Sequence, residues 1–170
     1  MATKKQLFST SRPSGGSLLP WLGVAAIVIL IDQITKITVQ RLFAYRETKM
    51  ITSFFDLTLT YNEGAAWGFL NNQPGWQRYF FITIGVVAVG FIIHMLRRHS
   101  DQRLFCWALA LIMGGAIGNV IDRVVHGKVI DFLSFHYAGA SFPVFNVADM
   151  AITLGAMLFI YDELRRVNKN

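Results

Sequence analysis

Four stretches of this chain stay apolar for about the thickness of a bilayer, and that leaves the backbone few options. They are 18–39, 76–96, 104–121 and 146–164. A helix needs roughly 20 apolar residues to cross a hydrocarbon core of about 30 Å. Lipid offers no water to unpaired N–H and C=O groups, so a span is either a helix or part of a closed barrel. These runs are continuous rather than alternating, which selects helices. The charged share is 15%, against about 25% in a soluble domain. The expected fold is therefore an integral membrane protein, mainly α, built on a bundle of four transmembrane helices. One domain, 18–166, lies between a polar tail at 1–17 and a short one at 167–170. The first run follows Lys4, Lys5 and Arg12, as a signal peptide would. Its length exceeds the roughly 7–15 residues of a cleaved hydrophobic core and no small-x-small site closes it, so it reads as a retained span. The third run contains Gly114-Gly115-Ala116-Ile117-Gly118, small residues that let a neighbouring helix approach closely.

The cations orient the bundle. Lys4, Lys5, Arg12, Arg97, Arg98, Arg103, Arg165, Arg166 and Lys169 share one side of a four-span chain; Arg41, Arg46, Lys49, Arg78, Arg123 and Lys128 share the other. The short Arg97–Arg103 connection weighs most under the positive-inside rule, placing both termini in the cytoplasm. The net charge of +6 is distributed between apolar runs, where lipid accounts for it and nucleic acid does not. Cys106, the one cysteine, forms no internal disulfide and reads as a small buried hydrophobe. His94, His99, His126 and His136 are scattered, so neither a metal nor any other cofactor is expected.

Two longer connections, 40–75 and 122–145, then face outward. Phe55 to Asn62 alternates apolar and polar residues with period two, as a half-buried strand does. Lys128 to Phe135 is a second short apolar-rich stretch, followed by a Gly/Pro turn region. An isolated hairpin is marginal, so these strands are expected to form a small extracytoplasmic sheet resting on the bundle.

Ionisable residues at membrane depth are expensive and default to a functional reading. Asp32 and Lys36, four apart on one helix face, read as an ion pair that braces a site. Asn119, Asp122 and Arg123 close the third run; a structural or substrate-positioning role suits them better than catalysis, with Arg123 free to snorkel to the interface. Asp131 lies among Val129, Ile130, Phe132 and Leu133, where a bare carboxylate is hard to explain as a solvated face. Asp149 is ambiguous locally, because Asn146 and Asp149 also fit a capping-box relative at a helix start. Topology adds to its case. Asp149 opens the last span at the outer interface, on the same side as Asp131, and the Gly139–Pro143 region lets the chain double back. Two nearby carboxylates share one proton, the arrangement that activates water and polarises a peptide carbonyl.

At these residues the chain resembles lipoprotein signal peptidase, or signal peptidase II. The matching segments are Asp32-Gln33-Ile34-Thr35-Lys36, Tyr61-Asn62-Glu63-Gly64-Ala65-Ala66-Trp67 and Gly118-Asn119-Val120-Ile121-Asp122-Arg123. Val129-Ile130-Asp131-Phe132 and Phe145-Asn146-Val147-Ala148-Asp149 complete the family's order. The resemblance implies four helices with a small β-cradle at the periplasmic face of the bacterial inner membrane. It implies cleavage of diacylglyceryl-modified prolipoproteins just before the lipidated cysteine, with Asp131 and Asp149 as catalytic dyad. It also implies that Asp32, Lys36, Asn62, Gly64, Asn119, Asp122, Arg123 and Asn146 support the site and its binding of substrate or the cyclic peptide globomycin. The Tyr61–Trp67 segment is expected to lie over the signal peptide. A small transporter using Asp32, Lys36, Asp122 and Asp149 as an ion path is the chief rival, but the middles of the second and fourth runs carry almost no polar residues. The Gly-x-Gly-Asp signature of presenilin-type proteases is absent.

Overall fold

The computed structural model describes residues 17–64, 70 and 74–168. The tail at 1–16, part of the segment expected to cover the signal peptide, and residues 169–170 lie outside the described residues.

The chain runs α1 (Leu19–Leu42), β1 (Thr48–Thr52), β2 (Phe55–Asn62), α2 (Trp76–Arg98), α3 (Arg103–His126), β3 (Val129–Tyr137), β4 (Ala140–Ser141) and α4 (Val147–Val167). Three helices, α1, α2 and α3, are long and apolar enough to cross a membrane. Their outward side chains, such as Leu30, Ile34, Val87 and Phe91, are exposed and apolar, as contact with lipid requires. Helix α4 has the length, 21 residues, but carries Asp149, Asp162, Glu163, Arg165 and Arg166 towards its ends. Helix α3 runs on to His126, past the expected end at residue 121, so Asp122 and Arg123 are helical. Gly127, at φ 78°, adopts the left-handed turn that ends it.

The four strands form one antiparallel sheet in the order β1-β2-β3-β4. Its register sets Thr60 opposite Asp131 and Asn62 opposite Val129, bringing two segments of distant sequence together. The expected strands at 55–62 and 128–135 are β2 and β3; β1 and β4 extend the sheet to either side. Val39, Leu59, Ile130 and Phe132 form an apolar joint between the end of α1 and the sheet. A second core, around Trp21, Leu96, Phe105, Leu109 and Met113, fills the other end of the bundle. Cys106 is buried there, and its thiol reaches the carbonyl of His99.

Helix α3 is the centre of the bundle, and its small residues explain why. A Cβ on Gly114 would meet Val28 and the Ala25 carbonyl of α1, and one on Gly118 would meet the Asp32 carboxylate. On the α4 side a Cβ on Gly115 would stand 2.3 Å from the Ala148 carbonyl oxygen. Because backbone cannot swing aside, Gly115→Ala must push α4 away from α3. We expect it to lower stability by about 1–3 kcal/mol and to depress activity through Asp149, the next residue along. Melting and turnover in detergent check this, and a variant melting with the parent contradicts it.

Candidate active site

Local sequence places the first carboxylate. Asn146 caps α4, its Oδ1 accepting from the Asp149 backbone N–H at 2.9 Å, while Asp149 Oδ2 accepts from the Asn146 N–H at 3.3 Å. This capping box holds Asp149 in the first turn of the helix. The second carboxylate is placed by the sheet. Asp131 is 2% exposed, between buried Ile130 and Phe132, and its Oδ1 accepts from Asn146 Nδ2 at 2.6 Å. One asparagine thus touches both acids.

Asp131 and Asp149 line a single cavity of about 1220 Å³, together with Asn62, Asn119 and Arg123. Burial, then the neighbouring Asp149 charge, pushes the Asp131 carboxyl from its ordinary 3.8 up to about 7; the amides of Asn62 and Asn146 and the charge of Lys36 oppose the rise. The cavity continues away from the acids between Val28, Ile31, Leu111, Thr153, Leu154 and Met157. Met157 lies eight residues past Asp149, about 12 Å along the helix. Ile31, Leu154 and Met157 are half exposed, so the groove opens sideways at the surface of the bundle.

A buried charge cluster fastens this site. Lys36 Nζ lies 2.9 Å from Asp32 Oδ2 and 2.7 Å from Asp122 Oδ2, with all three side chains almost fully buried. Asp32 Oδ1 accepts from the Ala148 backbone N–H at 2.9 Å, one of the donors a helix start leaves unpaired. Asp122 Oδ2 accepts from the Ile130 N–H at 3.1 Å. Each of these aspartates therefore grips the residue immediately before one of the cavity acids, and Lys36 joins the two grips. The ammonium also donates to Asn119 Oδ1 at 3.1 Å, and Asn119 Nδ2 donates to Asp149 Oδ1 at 2.8 Å.

The family model described as signal peptidase (SPase) II matches residues 24–165, nearly the whole folded chain. The chain belongs to the signal peptidase II family. Signal peptidase II is a membrane aspartic peptidase, and this chain is one by membership. It is similar to the lipoprotein signal peptidase of Janthinobacterium sp. (strain Marseille), 62% identical over 99% of this chain and all of that one. The lipoprotein signal peptidase of Paraburkholderia phymatum is 59% identical, over 92% of this chain and 95% of that one. A bacterial membrane enzyme solved in meso at 2.3 Å superposes with a TM-score of 0.81 at 29% identity, covering 90% of this chain and 92% of that one. A second, at 1.9 Å, gives 0.77 at 30% identity, covering 86% and 94%.

Two expectations for this signal peptidase II need correcting. Asp32 and Lys36 are not a self-contained pair, because Asp122 arrives from α3 as a third member. Arg123 does not snorkel. It is 8% exposed and turns inward, donating to the carbonyls of Gly64 at 2.7 Å and Asn119 at 3.4 Å, with its guanidinium over the Phe81 ring. Its acceptors there are backbone carbonyls, and the carboxylates of Asp149, Asp131 and Asp122 face its charge. Asn62 Oδ1 accepts from the Gly64 N–H in a local turn. Gln33 went unremarked as a site residue, yet its amide donates to Asp122 Oδ1 at 2.9 Å. Its place beside Asp32 was the available signal.

Proposed function

We propose that this signal peptidase II removes the signal peptide of diacylglyceryl-modified prolipoproteins, cutting just before the lipidated cysteine with Asp131 and Asp149 as its dyad. The observation that carries this reading is the shared cavity: two carboxylates in its wall, and an apolar, laterally open lining that continues from them along α4. The names of the relatives point to the same substrate class. Acyl chains entering sideways from the bilayer would remain among apolar side chains while the scissile bond rests at the interface. Binding energy from the lipid then meets much of the orientation requirement before chemistry begins. One ionised and one protonated carboxyl activate water and polarise the carbonyl together.

In this reading α4 is a fourth span, the domain covers 18–166, both termini are cytoplasmic and the β-cradle faces the periplasm. The Arg97–Arg103 connection between α2 and α3 supports that orientation, and the apolar middle of α4, from Ala151 to Tyr161, supports the fourth span. Asp32, Lys36, Asn62, Gly64, Asn119, Asp122, Arg123 and Asn146 support the dyad or its ligands, and a cyclic peptide such as globomycin would occupy the same cavity.

The experiment is a paired cleavage assay in detergent. Given a diacylglyceryl-modified prolipoprotein and its unlipidated form, the protein should release the signal peptide from the first alone. Equal cleavage of both would remove the role assigned to the groove, and cleavage of neither would remove the substrate assignment.

A further inference from the structure

We infer that the two carboxyls are not interchangeable: Asp149 is the ionised member and takes the proton from water, Asp131 carries the shared proton, and Lys36 enforces this through Asn119. The inference rests on the dyad reading above and divides the roles within it.

The argument begins with an amide that cannot turn over. Asn119 Oδ1 accepts from the Lys36 ammonium at 3.1 Å and from Asn146 Nδ2 at 3.3 Å. An ammonium only donates, so a reversed Asn119 would point its NH₂ at NH₃⁺. The NH₂ is therefore committed to Asp149 Oδ1, at 2.8 Å. Asp149 Oδ2 is engaged as well, by the Asn146 backbone N–H at 3.3 Å. Both oxygens of Asp149 are acceptors, and a proton on either would weaken one of these bonds. Its position in the first turn of α4 also places it at the positive end of the helix dipole.

Asp131 also accepts an amide, from Asn146 Nδ2 at 2.6 Å, but it differs from the half-buried Asp149 in position and burial. It sits within a strand rather than at a helix start, and at 2% exposure it has almost no water to solvate a charge. Its carboxyl, pushed up to about 7, agrees with this. The charged groups facing the pair are each other, Lys36 from α1 and Arg123 from α3. Lys36 is already paired with Asp32 and Asp122, which leaves the Arg123 charge to face the two acids, a balance that suits a single shared negative charge. Lys36 acts on it through Asn119, which makes Lys36 and Asn119 positioning residues.

The protons then balance. Water's oxygen bonds to the scissile carbonyl carbon, one water proton passes to Asp149, and the Asp131 proton passes to the carbonyl oxygen. In the second step the carbon–nitrogen bond breaks, Asp149 returns its proton to the leaving nitrogen, and Asp131 regains one from the diol. The enzyme ends as it began.

Infrared difference spectroscopy reads the proton directly. At about pH 5, below the Asp131 value, the carbonyl stretch of a protonated acid should persist in Asp149→Asn and be missing from Asp131→Asn. The reverse pattern, or loss in both or neither, overturns the assignment. Retained turnover in either variant would instead sink the dyad itself, so the two failures are distinct. Asn119→Ala, which keeps the buried charge cluster intact, should raise the acid limb of the kcat/KM profile by about one pH unit and leave the alkaline limb in place. An unmoved acid limb overturns the part given to Lys36 and Asn119.

Discussion

Asp131→Asn and Asp149→Asn are each expected to abolish cleavage, by at least about a thousand-fold, and Asp131→Asn is expected to make the protein harder to melt. The second result follows from burial. A carboxyl shifted from 3.8 to about 7 binds its proton more tightly folded than unfolded. Between about pH 4 and pH 7 the unfolded chain therefore holds fewer protons, and stability falls as pH rises. Above pH 7 the full deficit applies, on the order of 4 kcal/mol at roughly 1.4 kcal/mol per unit. Asparagine never ionises and still offers an oxygen to Asn146, so the variant escapes the deficit. Its melting temperature should exceed the parent's above pH 7, and the gap should close towards about pH 4. Melting curves across that range, run beside the cleavage assay, check both halves. A variant that cleaves normally would count against the catalytic role, and one that is less stable than the parent at pH 8 would count against the burial argument.

Lys36→Met should have the largest effect on stability. Methionine keeps much of the volume but leaves Asp32 and Asp122 buried, facing each other's charge across the space the ammonium held. Removing one partner from a buried ionic cluster is destabilising by about 3–5 kcal/mol. The loss should reach the chemistry too, since these two aspartates hold the backbone just before Asp149 and Asp131. A control isolates charge from packing. In Lys36→Met combined with Asp32→Asn and Asp122→Asn the cluster is neutral, and much of the lost stability should return. If the single variant melts with the parent, the cluster is not holding the site together.

Much of the fold was legible because its signals are local. Continuous apolar runs must become helices in lipid, so α1, α2 and α3 could be read from the chain alone. Period-two alternation marked β2, and the Asn146–Asp149 spacing marked the start of α4. Asp131 stood out because its neighbours in sequence are apolar. The strands β1 and β4 were less legible. Thr48–Thr52 is exposed throughout and Ala140–Ser141 is two exposed residues, so neither carries an apolar period to detect. The turn of Arg123 towards the cavity was also hidden, because its acceptors are a Gly64 carbonyl 59 residues away and the Asn119 backbone.

By itself, the sequence determined that this protein is a helical membrane domain of the signal peptidase II family and marked out the acids worth attention. Tertiary structure alone decided how those acids are held. Asp32 reaches Ala148 across 116 residues, Lys36 meets Asp122 from another helix, and Asn119 bridges to Asp149. A hydrogen bond or ion pair requires atoms within about 3 Å of one another, and the distance between helices is set by how closely small residues such as Gly115 and Gly118 let backbones pack. That spacing belongs to the packed bundle, and no local pattern along the chain encodes it.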